Sequence, residues 1–182
     1  MTDITGAEKK LRQASFFQSH LARPPVRSDQ DPEHVEFYFS ACLSAAQSVY
    51  YVLDETGQPA FGPAQQRWRA ALPEAERSRF GRMIGLRDRD VHLASTGAEP
   101  LTKYVPEDHR AYTITGPLFY RESPSVEMAN PDGTKVSGQV LRGVCALYIE
   151  QGGRRVDAAE ACREFIAHLR SLVEAIKALD EV

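Results

Sequence analysis

Arg87 and His92 stand in the run Leu86-Arg87-Asp88-Arg89-Asp90-Val91-His92-Leu93 and supply two side chains suited to a reacting phosphate. The Arg guanidinium stays charged at all accessible pH and presents a planar fork of donors that matches phosphorus oxygens. The His titrates close enough to neutral to take or give a proton during the reaction. Asp88, directly after the Arg, is placed to orient one of the two, and Arg89 adds a second cation for gripping a polyanion. Asp88 and Asp90 act in both directions: they favour a protonated His92 and repel a polyanionic ligand. In a straight helix, residues five apart point about 140° away from each other. One helix face therefore cannot present both Arg87 and His92 to one phosphate unless the helix end distorts or the long Arg side chain wraps round.

An apolar residue, Arg, a polar residue and then Val-His resembles the active-site signature of the HEPN domains, a helical family of which many members cleave RNA without a metal. The resemblance implies a mainly α, HEPN-like helical bundle, with Arg87 and His92 as catalytic residues and Asp88 and Arg89 as supporting ones. It also implies a homodimer in which Arg87 of one chain approaches His92 of the other across a two-fold axis. The chemistry that follows is attack of the substrate's own 2′-hydroxyl, with His92 moving the proton and Arg87 stabilising the growing charge. The setting implied is a toxin–antitoxin, defence or stress-response endoribonuclease, with RNA as substrate and a nucleotidyltransferase-type protein as antitoxin. The likeness covers the helices from about Asp31 to Ser95 and extends to the C-terminal helix. Two other classes stay open, a non-catalytic HEPN-like module that binds a nucleotide or a protein, and a structural helical subunit of a larger complex. The competing reading of the motif itself is a charged helix end with ordinary i,i+3 and i,i+4 pairing.

Two further Arg–His pairs occur. Arg27 and His34 are separated by Asp31-Pro32, which no continuous helix can cross, because Pro lacks a donor and restricts the residue before it. Arg163 and His168 lie inside an amphipathic helix beside an unbroken apolar seam, where a solvated flank is the simpler reading; they are kept as reserve candidates. His20, His34 and His109 show no partner pattern. Trp68 and Tyr50-Tyr51 can stack on bases, but their helical spacing reads as core.

Composition bounds the rest. The chain has 182 residues, 26% of them charged, and a net charge of −3, which fits one globular domain and gives no bulk attraction for nucleic acid. Any RNA binding must come from a local patch such as Arg87 and Arg89. Cys42, Cys145 and Cys162 are odd in number and widely spaced, which argues against a disulfide framework and a zinc site. No cofactor or metal is expected. With no apolar run of membrane-spanning length and no secretory h-region, the expected location is cytoplasmic.

The first half reads as helices that must hold the motif in place. Thr5 with Glu8 is a capping-box pair, and Ala7, Leu11, Ala14, Phe17 and Leu21 follow at helical spacing until Pro24. Asp31 before Pro32 starts a second helix whose seam runs Val35, Phe39, Cys42, Ala46, Val49, Leu53, and Tyr38, Ala45 and Val52 widen that face, so two of its sides should be buried. A third helix spans about Ala64 to Leu72, and a fourth begins near Glu74, carries the motif on its last turns and stops at Ser95-Thr96-Gly97. The stretch from about 110 to 156 is β-rich. Tyr112 to Thr115 and Leu118 to Tyr120 are strand-like, and hairpins are expected at Asn130-Pro131-Asp132-Gly133 and Gly152-Gly153. Asp157 with Glu160 then caps a last helix whose apolar residues, Ala158 through Leu179, keep a seven-residue repeat. The expected organisation is one domain over 1–182, helical over about 1–98 and 157–182, with a small antiparallel elaboration over about 110–156.

Overall fold

The computed structural model describes residues 4–22, 32–56, 61–93, 98–106, 125–138 and 141–180. Five helices and five strands are formed there: α1 (Thr5–Ala22), α2 (Pro32–Thr56), α3 (Phe61–Ala71), α4 (Glu74–Leu93), β1 (Glu99–Pro106), β2 (Val126–Ala129), β3 (Lys135–Gly138), β4 (Leu141–Gln151), β5 (Arg154–Asp157) and α5 (Ala158–Asp180). The architecture is mainly helical with two small antiparallel sheets. No described helix is long and apolar enough to cross a membrane.

The apolar periodicity decides which helix faces meet. On α2, Val35, Phe39, Cys42, Ala46, Val49 and Leu53 are buried at alternating steps of four and three residues. They pack in one cluster with α1 and with α5, whose Cys162, Phe165, Leu169, Leu172 and Ile176 form a second seam; Cys42 lies beside Cys162 and donates its thiol to the Ala14 carbonyl of α1 at 3.5 Å. The widened side of α2 is covered by α1: the His20 and Tyr38 rings lie 5.0 Å apart, and a Cβ added to Gly6 would stand 2.9 Å from Val52. That close approach is why α1 begins with a glycine in its first turn. Its second buried side is therefore filled from within the chain. Lys177 of α5 ties down the same first turn of α1 through Glu8, at 2.9 Å.

Aromatic packing joins α3 and α4 to this pair. Phe80 of α4 lies 5.1 Å from Trp68 and 5.0 Å from Phe165, both in tilted or edge geometry that suits the ring quadrupoles. Trp68 also donates its indole N–H to Ser171 Oγ at 2.8 Å, so its one polar atom is satisfied inside the core. Trp68 is thus a core residue.

The larger sheet has the order β1-β4-β5, with every pairing antiparallel. Alternation along β4 sends Cys145, Leu147 and Ile149 onto the helices and Val144 and Tyr148 to the opposite face. Gly152 and Gly153, with φ of 62° and 74°, make the two-residue turn from β4 into β5 that only residues tolerating positive φ allow. Asp157 ends β5 and caps α5, its Oδ1 accepting the Ala159 N–H at 2.8 Å while its Oδ2 holds Lys103 of β1. The β2–β3 hairpin turns at Asn130-Pro131-Asp132-Gly133 and is pinned to β1 by Asn130, whose Oδ1 accepts the Tyr104 N–H at 2.7 Å and whose Nδ2 donates to the Tyr104 carbonyl at 3.3 Å.

Strand β1 departs from the sequence expectation, which began the β region near residue 110. It starts at Glu99. Pro100 and Pro106 hide it from pattern reading, yet a proline is tolerated on an edge strand because its missing donor is not needed there, and β1 is the edge beside β4. The proposed strands Tyr112–Thr115 and Leu118–Tyr120, the helix stop at 95–97, His109 and the Arg27 half of the first rival pair lie outside the described residues.

Leu169 of α5 and Val49 of α2 are fully buried in the one core cluster to which both helices contribute. Leu169→Ala is expected to cost about 2–5 kcal/mol in urea unfolding, and Val49→Asp to prevent folding at ambient temperature. Wild-type melting of either variant would show that this cluster is not the core.

Stability should also fall in alkali. Burial pushes the Cys162 thiol well above its ordinary 9.0, with Cys42 beside it adding to the effect, and pushes the Tyr148 hydroxyl well above its ordinary 10.0, with Asp132 and Asp157 contributing. Both groups are neutral when folded, and the unfolded chain ionises first. Their stabilising effect is therefore complete below about pH 8.5 and declines as pH rises toward the folded values. Tyr148→Phe removes a buried hydroxyl that has no hydrogen-bond partner. It should leave neutral-pH stability unchanged or raise it by about 1 kcal/mol, and should flatten the alkaline decline seen in thermal melts.

Candidate functional site

Helix α4 carries the motif because its own apolar residues fix how it lies. Phe80, Met83 and Leu86 recur at three-residue steps and are buried, which turns this side of α4 inward. Polar contacts clamp one flank: Arg79 meets Glu164 of α5 at 3.1 Å, and Arg82 donates to the Glu150 carbonyl of β4 at 2.8 Å. The opposite flank is held through Asp88, whose Oδ1 accepts a hydrogen bond from Gln47 Nε2 of α2 at 3.3 Å.

Arg87 follows Leu86 and so sits at the border of the buried side. Its side chain is 24% exposed, against 51% for Asp88, and its Nη1 lies 3.6 Å from Asp88 Oδ1. Its Nε is buried without a hydrogen-bond partner. A single longer-range contact therefore holds the guanidinium, and no bidentate carboxylate fork engages it among the described residues. Arg89 and His92 lie on the last turns of α4, but their side chains fall outside the described residues. Among the described side chains of the motif, the structure brings Arg87 and Asp88 together.

The reserve pair separates. Arg163 is 62% exposed and bound to Glu160, with Nε 2.8 Å from Oε2, an i,i+3 pair on the surface of α5. That pairing raises the Arg163 pKa and lowers the Glu160 pKa, each chiefly through their hydrogen bond. His168 turns instead toward α4, with Nε2 3.8 Å from Glu76 and its ring edge-on to Phe80 at 6.2 Å. Arg163 and His168 serve different contacts, as a helix flank would have it.

Gln47 is the residue that the sequence reading passed over. It is 5% exposed, holds Asp88 through its amino group, and leaves Oε1 buried without a partner. The signal was present: a polar amide four residues after Leu43 and three before Tyr50 stands on the wide apolar side of α2. A buried polar atom without a partner costs about 1–3 kcal/mol, so its retention needs a reason.

Gln47 also lines a cleft of about 470 Å³ between α2, α3 and α4. Tyr50 and Tyr51 of α2, Phe61 and Arg69 of α3, and Phe80 and Gly81 of α4 wall it. Tyr50 packs 5.9 Å from Phe61 and 5.8 Å from Phe80, while Tyr51 is 54% exposed. Burial pushes the Tyr50 hydroxyl pKa up, and its hydrogen bond to Gln65 and the nearby Arg69 charge act the other way. Among the described residues, no cluster of His, Cys, Asp or Glu is placed to hold a metal ion.

Comparison with protein families, curated proteins and solved structures returns no significant match.

The Gln47–Asp88 contact makes an asymmetric prediction. Asp88→Ala leaves the Gln47 amide with neither end bonded and should cost about 1–3 kcal/mol. Gln47→Leu removes the unpartnered oxygen together with the bond and should cost less than Asp88→Ala. Urea titration of both variants checks the order, and the reverse order would mean that Gln47 does not depend on Asp88.

Proposed function

We propose that this chain is a metal-independent endoribonuclease of HEPN type, with Arg87 and His92 as its catalytic pair. The observation that carries the reading is the state of Arg87: a largely buried guanidinium that, among the described residues, is held by one contact at 3.6 Å, beside an aspartate anchored from a second helix. A purely structural arginine is more simply met with a carboxylate fork or full exposure. Among the described residues Arg87 has no such fork, and in this reading the exposed part of its guanidinium meets a substrate phosphate.

Asp88 is then a positioning residue, fixed by Gln47 and in turn restraining Arg87. His92 accepts the 2′-hydroxyl proton or donates one to the leaving oxygen, a role that typically supplies about 10²- to 10⁴-fold in rate. The 2′-oxygen forms a bond to phosphorus as the bond to the 5′-oxygen breaks, giving a 2′,3′-cyclic phosphate and a 5′-hydroxyl end. Arg87 meets the negative charge that grows on the phosphoryl oxygens. Because residues five apart on a straight helix stand about 140° apart, two copies facing each other would bring Arg87 of one and His92 of the other to one phosphate. A homodimer is therefore part of the proposal, with Arg89 adding charge to the same cleft. A toxin role held in check by a nucleotidyltransferase-type antitoxin is the setting that the motif's resemblance suggests.

Purified protein incubated with total RNA in chelator should cleave it and leave cyclic phosphate ends. Arg87→Ala and His92→Ala should each lower cleavage by about 10²-fold or more while keeping the wild-type melting curve. Mixing the two inactive variants should restore part of the activity, since a mixed dimer rebuilds one complete site. Absence of cleavage by the wild type, or activity lost to chelator, would overturn the proposal.

A further inference from the structure

A groove of about 440 Å³ runs between α1 and α5, and no residue of the motif lines it. The two helices are antiparallel. Glu8, in the first turn of α1, meets Lys177 in the last turn of α5, and Gln18, toward the end of α1, donates to the Ala159 carbonyl at the start of α5 at 3.2 Å. Between those contacts the groove is lined by Leu11, Arg12 and Ser15 from one helix and by Arg170 and Val173 from the other. Leu11 and Val173 are buried and give it an apolar base, whereas Arg12 and Arg170 are exposed.

Charge pairing here departs from helix spacing. Glu8 and Arg12 on α1, and Arg170 and Glu174 on α5, are each four residues apart, a spacing at which opposite charges on a helix ordinarily pair. They do not pair. Lys177 takes both carboxylates, Glu8 at 2.9 Å and Glu174 at 2.8 Å. The hydrogen bonds it donates to Glu174 and Glu8 raise its pKa, and Lys177 in turn lowers that of Glu8, first through the hydrogen bond and then through its charge, with Arg12 adding least. Among the described residues, neither Arg12 nor Arg170 has a carboxylate within ion-pair distance.

One amine that serves two acids has a directional effect. On antiparallel helices, Glu8 and Glu174 both lie toward the end of the groove where α1 begins, and Lys177 gathers them there. Both guanidinium forks are left without an acid of their own, with the Ser15 hydroxyl three residues on from Arg12. Lys177, Arg12 and Arg170 against two carboxylates leave one positive charge in excess. Guanidinium forks match the oxygens of a phosphoryl group, which accepts several charge-assisted hydrogen bonds at once.

We propose that this groove binds a phosphoryl anion, held by Arg12 and Arg170 with Ser15 donating its hydroxyl, and that Lys177 keeps the site open by holding Glu8 and Glu174 away from both arginines. The phosphoryl group belongs either to a free phosphate ester or to a nucleic-acid backbone, and the recognition chemistry is shared. The site is separate from the Arg87–His92 pair, and the proposal does not require that the protein cleave RNA.

NMR titration of the full chain with inorganic phosphate decides it, at constant ionic strength so that screening is fixed, and with chloride as the reference anion. Phosphate should bind saturably and shift the side-chain Nε–H signals of Arg12 and Arg170, and chloride should not. Arg12→Gln and Arg170→Gln should each weaken phosphate at least about tenfold, the effect of losing a charge-assisted hydrogen bond, while melting stays unchanged because both residues are exposed. Lys177→Met should weaken it by a similar factor, since both carboxylates are then released to the arginines, and adding Glu8→Gln and Glu174→Gln should restore binding. Lys135→Gln on β3 loses the same charge outside the groove and should change nothing. Adenosine monophosphate and a short oligodeoxynucleotide, which has no 2′-hydroxyl, identify the source. Tighter binding of the oligonucleotide, weakened by Arg12→Gln, assigns a strand's phosphate, and tighter binding of the nucleotide assigns a free ester. Absence of saturable phosphate binding, binding unchanged in both arginine variants, or equal weakening by Lys135→Gln would each overturn the proposal, and full binding by Lys177→Met would overturn the part given to Lys177.

Discussion

Burial of one face of α5 is the constraint on which the rest of the molecule depends. Its seam contacts α1, α2, α3 and α4 and continues onto β4 and β5, so each element is placed by what it covers on this helix. At about 25 cal/mol per Å² of apolar surface, the seam supplies several kcal/mol before chain entropy is set against it. The helix needs nothing further to specify its partners. Cys162 on α5 meets Cys42 on α2, Phe165 meets Phe80 on α4, and Ser171 takes the Trp68 indole of α3.

Polar groups refine that arrangement where α4 meets its neighbours. Arg79 and Arg82 tie the helix to α5 and β4, and Asp88 ties it to α2. The motif therefore sits on a helix restrained from two sides, which suits a group that must hold a charge in place. Gln47 links this restraint to the neighbouring cleft, because it holds Asp88 and also lines the cleft wall. A single buried side chain thus stands between the motif and the cleft.

Much of the fold was legible because the two long helices α2 and α5 announce themselves twice, through a start signal and through a seam. Pro32 starts α2 where the sequence places it, and Asp157 both ends β5 and caps α5. The two glycines at 152–153 and the Pro-Asp-Gly at 131–133 state their turns as plainly. Strand β1 was not legible, because an edge strand tolerates the prolines that pattern reading treats as breaks. The site was half legible. Arg87 and Asp88 stand out by type and spacing, whereas Gln47 matters only through a contact with a residue 41 positions away that no local pattern encodes. The reserve pair illustrates the converse, since Arg163 and His168 have the right types and spacing yet serve separate contacts on α5.

Asp157 and Lys103 have a consequence for how the chain can vary. The two residues are 54 positions apart, and their contact, with the β1–β4 ladder beside it, closes the base of a long excursion from the helical bundle. Entropy of closing such a loop grows only with the logarithm of its length, so a doubling costs about 0.6 kcal/mol. The closure therefore holds Pro106 and Leu141, which pair with each other, in place relative to the helices whatever the length of chain between them. A change of length at the β2–β3 turn, 130–133, would be felt first at Asn130 and β1 and would reach the helices only through the clasp, which lets this hairpin diversify while the bundle stays the same.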